Sequence, residues 1–147
     1  MILSGPGFKG GGRIQDLVNL VDMPPTLLDA AGIPIPAEME GRSILDGRKD
    51  WPDDIFVQIS ESQVGRAVRT KRWKYGVTAV GLDGWKESSS MEYTEQYLYD
   101  LENDPHEQVN LSELISHKEV SLNMRERLKN YLQKVEQSSP IIIEAVN

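Results

Sequence analysis

Val120, Met124, Leu128, Tyr131 and Val135 recur at spacings of four, four, three and four, which draws one apolar stripe down an α-helix. The spacing predicts a helix over 117–137. Ser116-His117-Lys118-Glu119 in front of it fits a capping box, in which the Ser and Glu side chains satisfy each other's free N–H groups. Pro140 ends the helix. A stripe of this kind must be covered by other apolar surface. The chain has 147 residues, one domain's worth, enough to bury roughly 68–70% of the surface that its unfolded form exposes.

The cover is predicted to be sheet. Ile55–Ser60 reads IFVQIS, β-branched and aromatic, hence a strand. Ala67–Arg69 and Trp73–Val80 read as two more strands, joined by a tight polar turn at Thr70-Lys71-Arg72. Residues 81–90 are loop. Tyr97-Leu98-Tyr99 reads as a short strand before the turn signal Asn103-Asp104-Pro105, and Ile141-Ile142-Ile143 can form a last edge strand.

Upstream of this the pattern changes. Met1–Leu3 is a very short apolar run, and Gly5-Pro6-Gly7 and Gly10-Gly11-Gly12 mark a loop. Ile14–Val21 is apolar and fits strand or helix equally. Asp22 is the expected N-cap of a helix over 22–31, with Pro24 and Pro25 in its first turn and Gly32 just past its end. Residues 33–54, with Pro34, Pro36, Gly41, Gly47 and Pro52, connect the two halves. The boundary is placed between 49 and 50.

Composition removes several functions. The chain has no Cys and two His, His106 and His117, which excludes disulfides, thiolate zinc sites, a Cys nucleophile and a three-His metal site. A net charge of −7 argues against nucleic-acid binding over the whole surface. No apolar run is long enough to cross a membrane. Gly5-x-Gly7-x-x-Gly10 has the letters of a dinucleotide fingerprint, but it lacks the preceding strand and the helix start that must face a pyrophosphate. Asp100-x-Glu102-x-Asp104 begins like a calcium loop, yet Pro105 stands where glycine is required and Leu111 where the bidentate Glu should be. Arg66, Arg69, Lys71, Arg72 and Lys74 crowd one hairpin with Trp73 and Tyr75 between them. Strand alternation puts Arg72 and Lys74 on one face and the two aromatics on the other. The reading of this run is a solvated face over an aromatic core face. The alternative is a stand-alone binding module that uses hairpin 66–74 for anionic ligands or nucleic acid.

Three stretches, in order, resemble the C-terminal part of the type I sulfatases, arylsulfatase-like members of the alkaline-phosphatase-like superfamily. They are Ile2-Leu3-Ser4-Gly5-Pro6-Gly7; Leu17 to Ile33 with Gly41-Arg42-Ser43; and Arg66 to Tyr75 followed by Tyr97 to Leu111. Together they cover residues 2–111. The resemblance implies an α+β fold. A small antiparallel sheet of about four strands packs against a C-terminal helix, after a remnant (strand and short helix) of the large α/β domain. Residues 1–49 would be the tail of that catalytic domain and residues 50–147 the C-terminal subdomain.

The resemblance also implies what such a chain lacks. Sulfatases of this kind hydrolyse sulfate esters with a formylglycine made from the Cys or Ser of C/S-x-P-x-R, and with a divalent cation, usually calcium. Here Ser4-Gly5-Pro6-Gly7-Phe8 carries Phe8 in place of the required Arg, and Ser138-Ser139-Pro140 runs on into Ile141-Ile142. No catalytic residue, metal ligand or cofactor is therefore assigned to this chain, which is expected to be inactive alone. Calcium and formylglycine belong to the parent enzyme, and the expected partners are a missing N-terminal catalytic domain and the parent's sulfate-ester substrate. In intact sulfatases this subdomain borders the catalytic pocket. The loop Glu61–Arg66 then becomes a candidate substrate rim, with Gln63 and Arg66 as its contacts. Leu17, Val21, Leu27 and Leu28, without their usual cover, are expected to drive self-association into a homo-oligomer.

Overall fold

The regular elements are helix α1 (Met23–Ala30), strands β1 (Asp54–Ile59), β2 (Gly65–Thr70), β3 (Trp73–Thr78) and β4 (Glu92–Asp100), helix α2 (Lys118–Tyr131) and strand β5 (Ile141–Ile143). The computed structural model describes residues 1–5, 7–8, 10–45 and 51–145. The chain divides into two compact units, Met1–Ile55 and Phe56–Asn147. The boundary expected between 49 and 50 lies outside the described residues.

In the first unit, residues 1–4 form no strand, and the glycine-rich turn closes only an isolated bridge between Gly5 and Phe8. Ile14–Asn19 takes neither of its two candidate forms; a 3₁₀ turn, Leu20–Asp22, leads into α1. That turn displaces Asp22 from the expected cap role. Its carboxylate accepts the backbone N–H of Asn19 at 2.8 Å and that of Arg42 at 2.9 Å. The hydroxyl of Thr26 bonds the Asp22 carbonyl at 2.5 Å and receives the Ile44 N–H at 3.1 Å. Residues 41–44 are thereby stitched to the start of the helix. The backbones approach so closely that a Cβ on Gly41 would stand 1.8 Å from the Val21 carbonyl oxygen, so no other residue fits there. Ser43 also donates to the Asp29 carboxylate. Gly32, at φ +70°, ends the helix as its position predicts.

The second unit is a five-stranded sheet in the order β1-β2-β3-β4-β5 with α2 on one face. Strands β2, β3 and β4 are antiparallel neighbours, and β5 joins β4 in parallel. The sheet thus has one strand more than the resemblance implies, and Ile141–Ile143 forms the edge strand that its sequence predicts. Val68, Tyr75 and Leu98 face one another across three strands and pack under Met124, Leu128 and Leu132. Each such side chain, fully buried, contributes about 1.5–3 kcal/mol.

Strand β4 is three times as long as the predicted Tyr97–Tyr99, and its burial explains the difference. Tyr93, Glu95, Leu98 and Asp100 are buried, a spacing of two, three and two. A β-bulge opposite Gly76 and Val77 inserts one residue and resets the alternation. Asn110 serves the freed backbone groups: its Oδ1 receives the Leu98 N–H and its Nδ2 donates to the Gln96 carbonyl.

Helix α2 departs from expectation at both ends. The chain enters it through a 3₁₀ turn, Ile115–His117, whose backbone bonds serve the first N–H groups, so the capping box does not form. Ser116 pairs with His117 Nδ1 instead. At the other end the helix widens into a π turn, Leu132–Glu136. The extra residue turns Val135 outward, and Leu132, which the predicted stripe does not include, is the last buried apolar position of the helix.

Candidate functional site

Arg66 lies in β2 rather than in the loop before it, and its side chain turns toward the helix layer. The guanidinium is 1% exposed and its Nε donates to Glu136 at 2.5 Å. Nη1 donates to the Gly65 and Ile59 carbonyls and Nη2 to the Ser88 carbonyl at 2.6 Å. Its plane sits over the Tyr93 ring, 5.8 Å from the centroid. Burial raises the Tyr93 hydroxyl above its ordinary value, against the opposing effects of the Ser90 N–H and the Arg66 charge. Glu136 is the last residue of the π turn, four positions after the buried Leu132.

Gln63 is half-buried in the connection between β1 and β2. Glu61, two residues earlier, holds a left-handed φ of 78° and bonds the Gly84 carbonyl at 2.9 Å. A Cβ on Gly84 would lie 2.7 Å from the Glu61 oxygen, so the glycine lets the loop 79–91 lie directly on the Gln63 segment. Trp85, one residue on, is 78% exposed. The structure therefore keeps Gln63 at a surface loop and makes Arg66 the anchor beneath a second loop, through Ser88.

A second buried polar centre was not visible in the sequence. The Glu95 carboxylate, 3% exposed, accepts the Tyr75 hydroxyl at 2.7 Å, the Ser121 hydroxyl at 3.2 Å, Arg125 at 2.8 Å and the Ala145 N–H at 3.2 Å. Burial first, then the Glu95 carboxylate, push the Tyr75 hydroxyl far up, so it stays a proton donor. Arg125 also meets Glu144, whose carboxyl Lys118 and then Arg125 hold below its ordinary value. Every partner is internal, so this centre joins β3, β4, α2 and the C-terminal segment.

Three of the hairpin's five basic residues are ion-paired, while Arg69 is exposed on β2. Arg66 is paired as above, Arg72 grips Asp100 at 2.8 Å and Lys74 meets Glu107 at 2.6 Å. Tyr75 and Trp73 face the core while Lys74 lies over Tyr99 on the other side. Hydrogen bonds from Arg72 hold the Asp100 carboxyl down at about 2. Asp104 is likewise lowered, by the N–H groups of Val109 and Gln108. These carboxylates close a turn, and among the described residues no group of three or more His, Asp or Glu could hold a metal ion. His117 sits edge-on to Trp73.

A five-stranded sheet with one covering helix makes the second unit an α+β domain. Comparison identifies which. Residues 1–134 match the family described as N-sulphoglucosamine sulphohydrolase, C-terminal. Human arylsulfatase K is 27% identical over 146 residues, covering 90% of this chain and 25% of its own length. The Δ4,5-hexuronate-2-O-sulfatase of Bacteroides thetaiotaomicron is 30% identical over 147 residues, covering 90% of this chain and 28% of its own length. A solved structure described as a 2-O GAG sulfatase superposes with a TM-score of 0.72 at 28% identity, over 90% of this chain and 29% of that one. The chain belongs to the sulfatase C-terminal family. It spans about a quarter of the length of the relatives it matches.

Proposed function

We propose that this chain is the scaffold portion of a sulfuric ester hydrolase, and that the nucleophile and the metal ligands are carried by further polypeptide of the same enzyme. The observation that carries this reading is the family match over residues 1–134 together with a length near a quarter of the relatives'. Calcium and formylglycine, implied by the sulfatase resemblance, do not fit the residues present. The chain has no Cys, and its described residues form no cluster able to hold a metal ion. No step through either group is assigned here. On this reading residues 1–49 belong to the catalytic domain and residues 50–147 form the C-terminal subdomain.

The part left to this chain is positioning. Gln63 occupies the rim that faces a substrate's non-sulfate portion, and Arg66 fixes that rim from below through the Gly65 and Ser88 carbonyls. Remote contacts of this kind serve catalysis when their energy is realised in the transition state. The test extends the coding region upstream, purifies the longer protein and compares Gln63→Ala with wild type on an aryl sulfate and on sulfated disaccharides. A changed ratio of kcat/KM between the two substrate types is expected; an unchanged ratio would contradict the rim role.

A further inference from the structure

Strand β5 is held at the sheet edge by a small set of contacts. Of its residues only Ile142 is buried, and Ile141 and Ile143 are 66% and 40% exposed. The Ile141 N–H reaches the Met91 carbonyl at 2.9 Å. Just beyond the strand, Glu144 pairs with Lys118 at 2.7 Å and with Arg125 at 3.2 Å, and the Ala145 N–H reaches the Glu95 carboxylate at 3.2 Å. Every polar group in that cradle comes from residues 91–125, so the cradle is complete without the segment it holds.

The connection from the helix layer to β5 is strained. Gln137 is exposed and holds a left-handed φ of 52°, a conformation that a residue with a Cβ adopts at a cost and glycine does not. Beside it Ser138 Oγ is buried with no hydrogen-bond partner among the described residues, a penalty that water would relieve. Only Gln137, Ser138 and Ser139 separate the π turn from Pro140 and the strand. Short connections under strain invite exchange of the following element between copies.

Straightening this connection relieves both costs, but it also empties the cradle. The Glu95 carboxylate loses the Ala145 N–H, and the core loses Ile142. A second copy carries the one segment whose spacing refills it: Ile142 for the core, Glu144 two positions on for Lys118 and Arg125, and the Ala145 N–H for Glu95. Each bond made within one chain is re-made between two.

We propose that residues 140–145 exchange between two copies of this chain, so that β5 of each completes the sheet of the other beside β4. The proposal does not rest on the sulfatase reading, since it concerns this chain alone. It also differs from association through apolar surface on the first unit, which exchanges no element.

The test uses the chain's lack of cysteine. Glu92 and Ile141 pair across β4 and β5, and both are exposed. Neighbouring strands lie about 4.8 Å apart, within disulfide reach. One preparation carries Glu92→Cys and another Ile141→Cys. Both also carry Leu20→Asp and Leu27→Asp, at exposed positions, to weaken association through the first unit. The two are mixed, unfolded in urea, refolded together and oxidised with oxidised glutathione. Exchange predicts a covalent dimer joined through positions 92 and 141. Its yield should be several-fold that of a control mixture in which Val109→Cys, at another exposed position, replaces Glu92→Cys. No covalent dimer, or equal yields in the two mixtures, would overturn the proposal. Size-exclusion chromatography of cysteine-free protein, also carrying Leu20→Asp and Leu27→Asp, then reads the hinge. Gln137→Gly should lower the dimerisation constant by about tenfold for each of the two hinges, and Gln137→Val should raise it. A constant unchanged by both substitutions, or moved in the opposite sense, would overturn the proposal as well.

Discussion

Arg66 and Glu136, seventy positions apart in the chain, meet at 2.5 Å beneath the sheet-facing side of a π turn. The pair ties the second strand to the end of the helix layer, and through Ser88 it also fixes the loop that precedes the fourth strand. Removing one partner leaves the other buried and uncompensated, which costs about 3–5 kcal/mol. Arg66→Ala should lower the urea midpoint accordingly. Arg66→Lys should recover little, because an ammonium cannot reproduce the planar fork that reaches Glu136, Gly65 and Ser88 together. Full rescue by Lys would show that charge alone matters.

Glu95 and Arg125 form the second buried centre, with Tyr75, Ser121 and the Ala145 N–H on the same carboxylate. Glu95→Gln and Arg125→Met should each destabilise by a few kcal/mol, and the double variant by less than their sum. Chemical denaturation of all four proteins measures the coupling. Additive effects would mean that the two side chains stabilise the fold independently.

Asp100 supplies a pH dependence. Arg72 holds its carboxyl at about 2, below the ordinary 3.8. The folded state therefore binds the proton more weakly than the unfolded state, so this contribution is complete above the ordinary value and is lost as pH falls toward 2. The stability difference between wild type and Asp100→Asn should be flat above about pH 5 and should shrink between about pH 4 and 2. A difference that stays constant down to pH 2 would contradict the Arg72 pairing.

Leu20 and Leu27 are 81% and 67% exposed on the first unit, with Val21 and Ile33 also in solvent. Apolar surface of this kind favours association. Light scattering of the isolated chain should show species larger than monomer at micromolar concentration, and Leu20→Asp with Leu27→Asp should raise the monomer fraction. A wild-type monomer at every concentration would leave this surface without that role.

What the sequence disclosed follows from how local each signal is. The helical stripe, the Thr70–Arg72 turn and the Ile141–Ile143 edge are short-range patterns, and all three appear in the structure. The fourth strand runs further than its sequence pattern predicts because a bulge breaks the alternation between Glu95 and Leu98, and a broken period carries no strand signal. The capping box failed because a 3₁₀ turn already served the helix start. Arg66 was legible as a candidate, but as a loop contact. Its burial depends on Glu136, and nothing within seventy positions announces that partner. The Glu95 centre was hidden for the same reason, since its donors come from the third strand, the helix and the C-terminal segment.

Hydrolysis of an aryl sulfate by the purified 147-residue chain, with and without added calcium, tests most directly whether the reactive groups lie outside it. The account predicts no turnover above a heat-denatured control under either condition. Calcium-dependent release of the phenol by this chain alone, abolished by denaturation, would contradict it.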